Sequence, residues 1–115
     1  MSEDLKTPPH SSEAERGIIG SILLDTQFGE DARVLDLCQS RGLTPDSFYE
    51  PRNRILYETF REMNGGSTPI DAVTLLDRLR ATGRLEEIGG VGAIQELLDN
   101  TPTSAHAEYY IDIVR

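Results

Sequence analysis

Two pairs of carboxylates stand four residues apart, Glu58 with Glu62 and Glu108 with Asp112, so each pair lies on one helix face. Paired carboxylates can divide into acid and base when their surroundings push their proton affinities apart. Arg54 and Arg61 flank Glu58 at helical spacing, which points instead to a solvated, ion-paired face. Glu86-Glu87 reads as surface too. A phosphate-binding loop needs G-x-x-x-x-G-K-[ST], so that backbone N–H groups surround phosphate and a lysine reaches it. Gly89-Gly90-Val91-Gly92 supplies glycines, but no lysine follows, and Lys6 is the chain's only lysine. That run reads as a turn opening a helix. His10, His106 and Cys38 are the only histidines and cysteine, and no two have ligand spacing. Serines and threonines fall mostly at caps and turns. The residue pattern therefore gives no catalytic, cofactor-binding or metal site.

What remains is association. Tyr109, Tyr110, Ile111, Ile113 and Val114 make the last helix apolar over more than one stripe. One stripe can face the domain's own core, and the surplus can face a partner. Tyr109, Tyr110, Ile113 and Val114 are the candidates for self-association or partner binding. The stretch PHSSEAERGIIGSILLD, Pro9 to Asp25, carries a second signal. Ser12 and Glu15 have the S-x-x-E spacing of a capping box. Ala14, Ile18, Ile19, Ile22 and Leu23 recur at helical spacing as one apolar face. Gly17, Gly20 and Ser21 lie beside it. A mid-helix glycine costs roughly 1 kcal/mol relative to alanine. Gly17 and Gly20 are therefore expected to serve close helix packing.

The elements around these residues read as all-α. Residues 1–10 form a polar tail, and the rest is one head domain. Helices are expected from about Ser12 to Asp25, then, after a turn centred on Gly29, from Glu30 to Ser40. A third starts at Pro51 with Ile55, Leu56, Phe60 and Met63 inward and stops at Gly65-Gly66. Asp71 caps a fourth, bearing Ala72, Leu75, Leu76 and Leu79 and ending at Gly83. Leu85 to Ile88 reads as a single helical turn. A fifth runs from Gly90 to Leu98 with Val91, Ile94, Leu97 and Leu98 inward. Ser104 caps the sixth, which shows Ala107, Tyr110, Ile111 and Val114 at i, i+3, i+4, i+7. No segment alternates as a strand would. The expectation is a bundle of about six short helices.

Bulk composition limits the partners. The formal charge is −9, from 20 acidic and 11 basic residues. That balance opposes unaided binding to nucleic acid or to an anionic membrane, and suits a basic protein partner. No apolar run reaches the length of a membrane span. Met1 to Thr7 lack the charged-then-apolar order of a secretion signal. The single cysteine allows no internal disulfide and fits a reducing, cytoplasmic setting. The last helical pattern is still running at Arg115, which suits either a natural end or a piece of a longer chain.

The landmarks, in order, resemble the N-terminal domain of bacterial DnaB-type replicative DNA helicases. The opening P-x-S-x-E-A-E…G-S-x-L-x-D pattern is matched by Pro9, Ser11, Glu13, Ala14, Glu15, Gly20, Ser21, Leu23 and Asp25. Phe48-Tyr49 with Ile55, Leu56 and Tyr57 matches the F-Y segment, and Pro69-Ile70-Asp71 with Val73, Thr74 and Leu75 the P-[IV]-D-x-[IV]-T segment. Gly89-Gly90 with Ile94 and Leu97 matches the G-G helix. Pro102, Ser104, Ala105, Tyr109, Tyr110, Ile113, Val114 and Arg115 match the close. Asn53 stands where many members carry His, Ala93 where an aromatic is common, and His106 where Asn is common. The segment from Thr26 to Pro45 is longer than usual.

The resemblance implies a non-catalytic collar over a C-terminal motor that binds ATP and magnesium. The collar would pair into dimers, help assemble a hexamer and contact primase, with a helicase loader as a further partner. Its pairing hairpin would begin near residue 104. The fragment itself would bind no nucleic acid and no membrane. Two rivals stand beside this reading. One is a free-standing helical adaptor or replication regulator without a motor, separated by whether a P-loop follows downstream. The other is a small hydrolase built on a carboxylate pair, separated by ATP turnover or metal binding.

Overall fold

The computed structural model describes residues 11–27, 32–66 and 68–115. The polar tail at 1–10 and the turn centred on Gly29 fall outside or largely outside these. Six α-helices are present among the described residues: α1 (Ser11–Gln27), α2 (Arg33–Ser40), α3 (Pro51–Gly65), α4 (Ala72–Ala81), α5 (Val91–Asp99) and α6 (Ala107–Val114). Two short 3₁₀ turns, Pro45–Ser47 and Glu86–Ile88, stand before α3 and α5.

The chain packs around α1, which touches α2, α3, α5 and α6. Ala14, Ile18, Ile19, Ile22 and Leu23 are buried, and so are Glu15, Gly20, Ser21 and Asp25. The sequence reading gave α1 a single apolar face. Burial instead extends round most of its middle, because helices enclose it from several sides, and a surrounded helix must be small or apolar all round. The other helices offer one stripe each: Val34, Leu35 and Cys38 from α2, Leu75 and Leu79 from α4, Ile94 and Leu97 from α5, Ala107 and Ile111 from α6. Helix α3 is buried more widely, through Asn53, Ile55, Leu56, Tyr57, Thr59, Phe60 and Met63. The Tyr57 ring packs on Phe48 at 4.9 Å, and its hydroxyl donates to the Leu43 carbonyl at 2.9 Å.

Local rules explain the boundaries. Pro51 occupies the first turn of α3, where its missing N–H costs nothing. Asp71 accepts from the Thr74 N–H at 2.9 Å, and Thr74 Oγ1 accepts from the Asp71 N–H at 2.9 Å, a reciprocal cap for α4. Gly42 and Gly83 follow α2 and α4 at φ 84° and 73°, a left-handed conformation that glycine adopts without a Cβ penalty.

Three expectations need correction. Helix α6 starts at Ala107, three residues later than the predicted Ser104 cap; Ser104 accepts the Ala107 N–H through its backbone carbonyl and offers no side-chain cap. Val91 was expected inward but is 49% exposed, since the core-facing stripe of α5 is carried by Ile94 and Leu97. Ser12 and Glu15 form no capping box. The helix already begins at Ser11, and both side chains reach across to another element.

Candidate functional site

Among the described residues, α4 and α5 each leave a single valine exposed, Val73 and Val91, whereas α6 turns an aromatic and an aliphatic side chain outward together. Ala107 and Ile111 are buried, Tyr110, Ile113 and Val114 are half-buried, and Tyr109 is 65% exposed. The sequence reading placed Tyr110 among the inward residues and Tyr109 and Ile113 outside them. The structure splits the four candidates finely. Tyr110 lies on α1, where a Cβ built on Gly17 would stand 2.6 Å from the ring. Val114 packs against the core cluster. Tyr109 is the most open of the four, and its ring centroid lies 6.0 Å from that of Tyr110. His106, exposed at the helix start, presents an edge to Tyr110 at 6.5 Å.

The α1–α6 junction is close because of what α1 lacks. A Cβ on Gly20 would stand 2.0 Å from Thr101 Oγ1. Thr101 is itself buried and donates to the Leu97 carbonyl at 2.9 Å. Side chains at Gly17 and Gly20 would therefore push the segment leading into α6, and α6 itself, off α1.

Glu15 and Asp25 have a role that the sequence reading missed. Glu15 is buried on α1, yet its carboxylate accepts from the backbone N–H groups of Tyr49 (2.6 Å) and Glu50 (3.1 Å) and from Asn53 Nδ2 (3.0 Å). It caps α3 from a neighbouring helix, where a negative charge meets the positive end of the helix dipole. Asp25 does the same for α2, accepting the Val34 N–H at 3.1 Å. Ser12 donates to Glu50 Oε2 at 3.1 Å, adding to the α1–α3 seam. Nearby, a notch of about 260 Å³ opens between α1, α3 and α5, lined by Arg16, Glu50, Arg52, Asn53 and Glu96 among others. It mixes both charge signs.

Neither carboxylate pair is arranged as an acid and a base. Glu58 pairs with Arg84 at 3.1 Å, and Glu62 with Arg78 at 3.8 Å. Glu108 and Asp112 both pair with Arg41. The partners proposed from helical spacing are engaged elsewhere: Arg54 donates to the Phe48 and Tyr49 carbonyls, and Arg61 lies over the Tyr57 ring at 5.9 Å. Cys38 is buried, and that burial pushes its thiol up to about 12, so it stays protonated and unreactive. Among the described residues, no three His, Cys, Asp or Glu side chains gather as a metal site, and no helix is long and apolar enough to cross a membrane.

Comparison with known proteins fits this geometry. A family model described as the DnaB-like helicase N terminal domain matches residues 7–115. The replicative DNA helicase DnaB of Haemophilus influenzae is 34% identical over 119 residues, covering 99% of this chain and 24% of that protein. DnaB of Geobacillus stearothermophilus is 36% identical over 109 residues, covering 95% of this chain and 22% of that protein. The crystal structure of the N-terminal domain of DnaB helicase from Mycobacterium tuberculosis superposes with a TM-score of 0.80 at 32% identity, covering 94% of this chain and 70% of that one. The chain spans under a quarter of the length of those two curated relatives.

Proposed function

The chain belongs to the DnaB-like helicase N terminal domain family, and from that premise we propose that it is the assembly and partner-docking head of a hexameric replicative DNA helicase. Its 115 residues hold the N-terminal domain and not the motor of such an enzyme. Its work is binding. Two copies associate through the outward arc of α6, built from Tyr109 and Ile113 with Tyr110 and Val114 at its margins. In the full protein these pairs contribute to a ring, in the cytoplasm, that also receives primase. The observation that carries this reading is the exposure of Tyr109 beside half-buried Ile113 on the face of α6 opposite its buried residues. An aromatic and an aliphatic side chain, side by side at a helix surface, gain most by burial against a partner. The acidic charge of −9 supports a basic visitor over DNA.

Sedimentation of the 115-residue chain tests the self-association. Ile113→Asp places a carboxylate in the apolar contact and weakens dimerisation at least about tenfold, because an unpaired charge there loses water without compensation. Helical content stays near that of the parent, since Ile113 is only half-buried in the monomer. Unchanged association of this variant would remove α6 from the interface. Primase docking is tested separately, by titrating a bacterial primase against the chain at rising salt.

A further inference from the structure

Helix α6 is gripped on two flanks. On one, Arg41 follows the end of α2 and reaches both acids of α6, with Nη2 at 2.5 Å from Glu108 Oε2 and Nη1 at 3.1 Å from Asp112 Oδ1. On the other, the Tyr110 ring lies over Gly17 of α1. Ala107 and Ile111 face the core between these flanks. At 3.6 residues per turn, the order round the rest of the helix is Glu108 and Asp112, then Tyr109, then Ile113, then Tyr110. The exposed apolar arc is the part left between the two grips. The acids and Tyr109 are exposed together, and rotation of α6 about its own axis decides how far half-buried Ile113 emerges beside Tyr109. The Arg41 side chain is only 26% exposed, while Glu108 and Asp112 are 64% and 59% exposed, so the guanidinium is the fixed member of the bridge. Glu108 has no other ion pair among the described residues.

We propose that Arg41 is a positioning residue for self-association: by bridging Glu108 and Asp112 it sets the rotation of α6 that presents Tyr109 and Ile113 to a second copy. This rests on the reading of α6 as the self-association face. Arg41 acts through α6 and not by touching the partner. An unusual salt dependence follows. Association through apolar surface is normally held or strengthened by added salt. Here salt screens the exposed bridge that positions the surface, so association weakens.

Sedimentation of the whole chain over a range of NaCl, with three variants, tests this. Arg41→Glu weakens association about three- to tenfold at low salt, by replacing the bridge with repulsion. Its salt dependence inverts, because screening now relieves that repulsion. The double variant Arg41→Glu with Glu108→Arg rebuilds one bridge and restores association to within about twofold. A residue that merely stabilised the head would shift the thermal midpoint of Arg41→Glu and leave the association of its folded fraction at the parental value. Parental association and salt dependence in Arg41→Glu, alongside weakened Ile113→Asp, would overturn the positioning role and leave the α6 interface standing. Parental association in both variants would overturn the α6 interface and this inference with it.

Discussion

Gly20→Ala is the severest single-methyl test of how α1 meets the rest of the head. The new Cβ would stand 2.0 Å from Thr101 Oγ1, 2.8 Å from its Cβ and 3.1 Å from its Cγ2. Thr101 is 5% exposed, and its hydroxyl is engaged with the Leu97 carbonyl. The contact with the Thr101 Cβ does not change with its rotamer, so the backbones must part. Overpacking of this kind costs about 1–3 kcal/mol, and displacing the Thr101 hydroxyl forfeits about 1 kcal/mol more. Alanine returns about 1 kcal/mol of helix propensity. The net loss is about 2 kcal/mol, a fall in Tm of about 8 °C at the unfolding entropy typical of a chain of this length. Thermal unfolding followed by far-UV circular dichroism reads it. Thr101→Ala in the same chain removes the two γ atoms and recovers part of the loss, with a coupling above about 0.5 kcal/mol. Gly17→Ala is the internal control. Its methyl meets the ring of half-buried Tyr110, which can swing toward solvent, so its cost is less than half that of Gly20→Ala. A Gly20→Ala chain as stable as the parent would refute the argument that absent side chains hold α6 against α1.

Glu15→Gln keeps the shape but removes the charge and one of the two accepting oxygens that serve Tyr49, Glu50 and Asn53; denaturant unfolding should show about 2 kcal/mol lost. Cys38 should resist thiol reagents in the folded chain at pH 8 and react on unfolding, because burial pushes it from 9.0 to about 12. Burial likewise pushes Tyr57 from 10.0 to about 12, reinforced by Cys38 and opposed by Arg61. Both groups are neutral in the fold, and the unfolded chain gives up their protons first. Their contribution is therefore complete below about pH 9 and is lost as pH rises toward 12, so urea midpoints should fall across that window and fall less in Tyr57→Phe.

Helix type and order were legible because the signals are local. Pro51, Asp71 and Gly83 act within a few residues of where they stand, so spacing alone finds them. Errors arose where the partner is distant in the chain. An S-x-x-E spacing looks the same whether glutamate turns back on its own helix or, like Glu15, reaches residues 34 to 38 positions away. Arg54 and Arg61 were assigned to Glu58 by helical spacing, yet Glu58 holds Arg84 from 26 residues further on. Surface ion pairs at helical spacing are weak, so tertiary neighbours decide them. The start of α6 was misplaced because Ser104 had the residue type for a cap but bonds through its backbone.

The same distinction explains why the family is more specific in the sequence than the candidate site on α6. In the opening motif, Glu15 caps α3, Gly20 makes room for Thr101, buried Leu23 fills the core and Asp25 caps α2. Each joins α1 to another element, so the motif describes how a central helix is enclosed and carries no chemistry of its own. Such a pattern is specific, because several separate contacts constrain it together. The proposed association then falls to what enclosure leaves over. Five helices spend their main apolar stripe on the core, and α6 alone keeps a large aromatic and an aliphatic side chain in an outward arc between its grips on Arg41 and Gly17. No motif marks that arc, but helical spacing does: it sets Tyr110 inward with Ala107 and Ile111 and leaves Tyr109 and Ile113 outside. The contacts that hold that helix, Gly17 under Tyr110 and Arg41 beside the acids, come from elements far from either tyrosine in sequence.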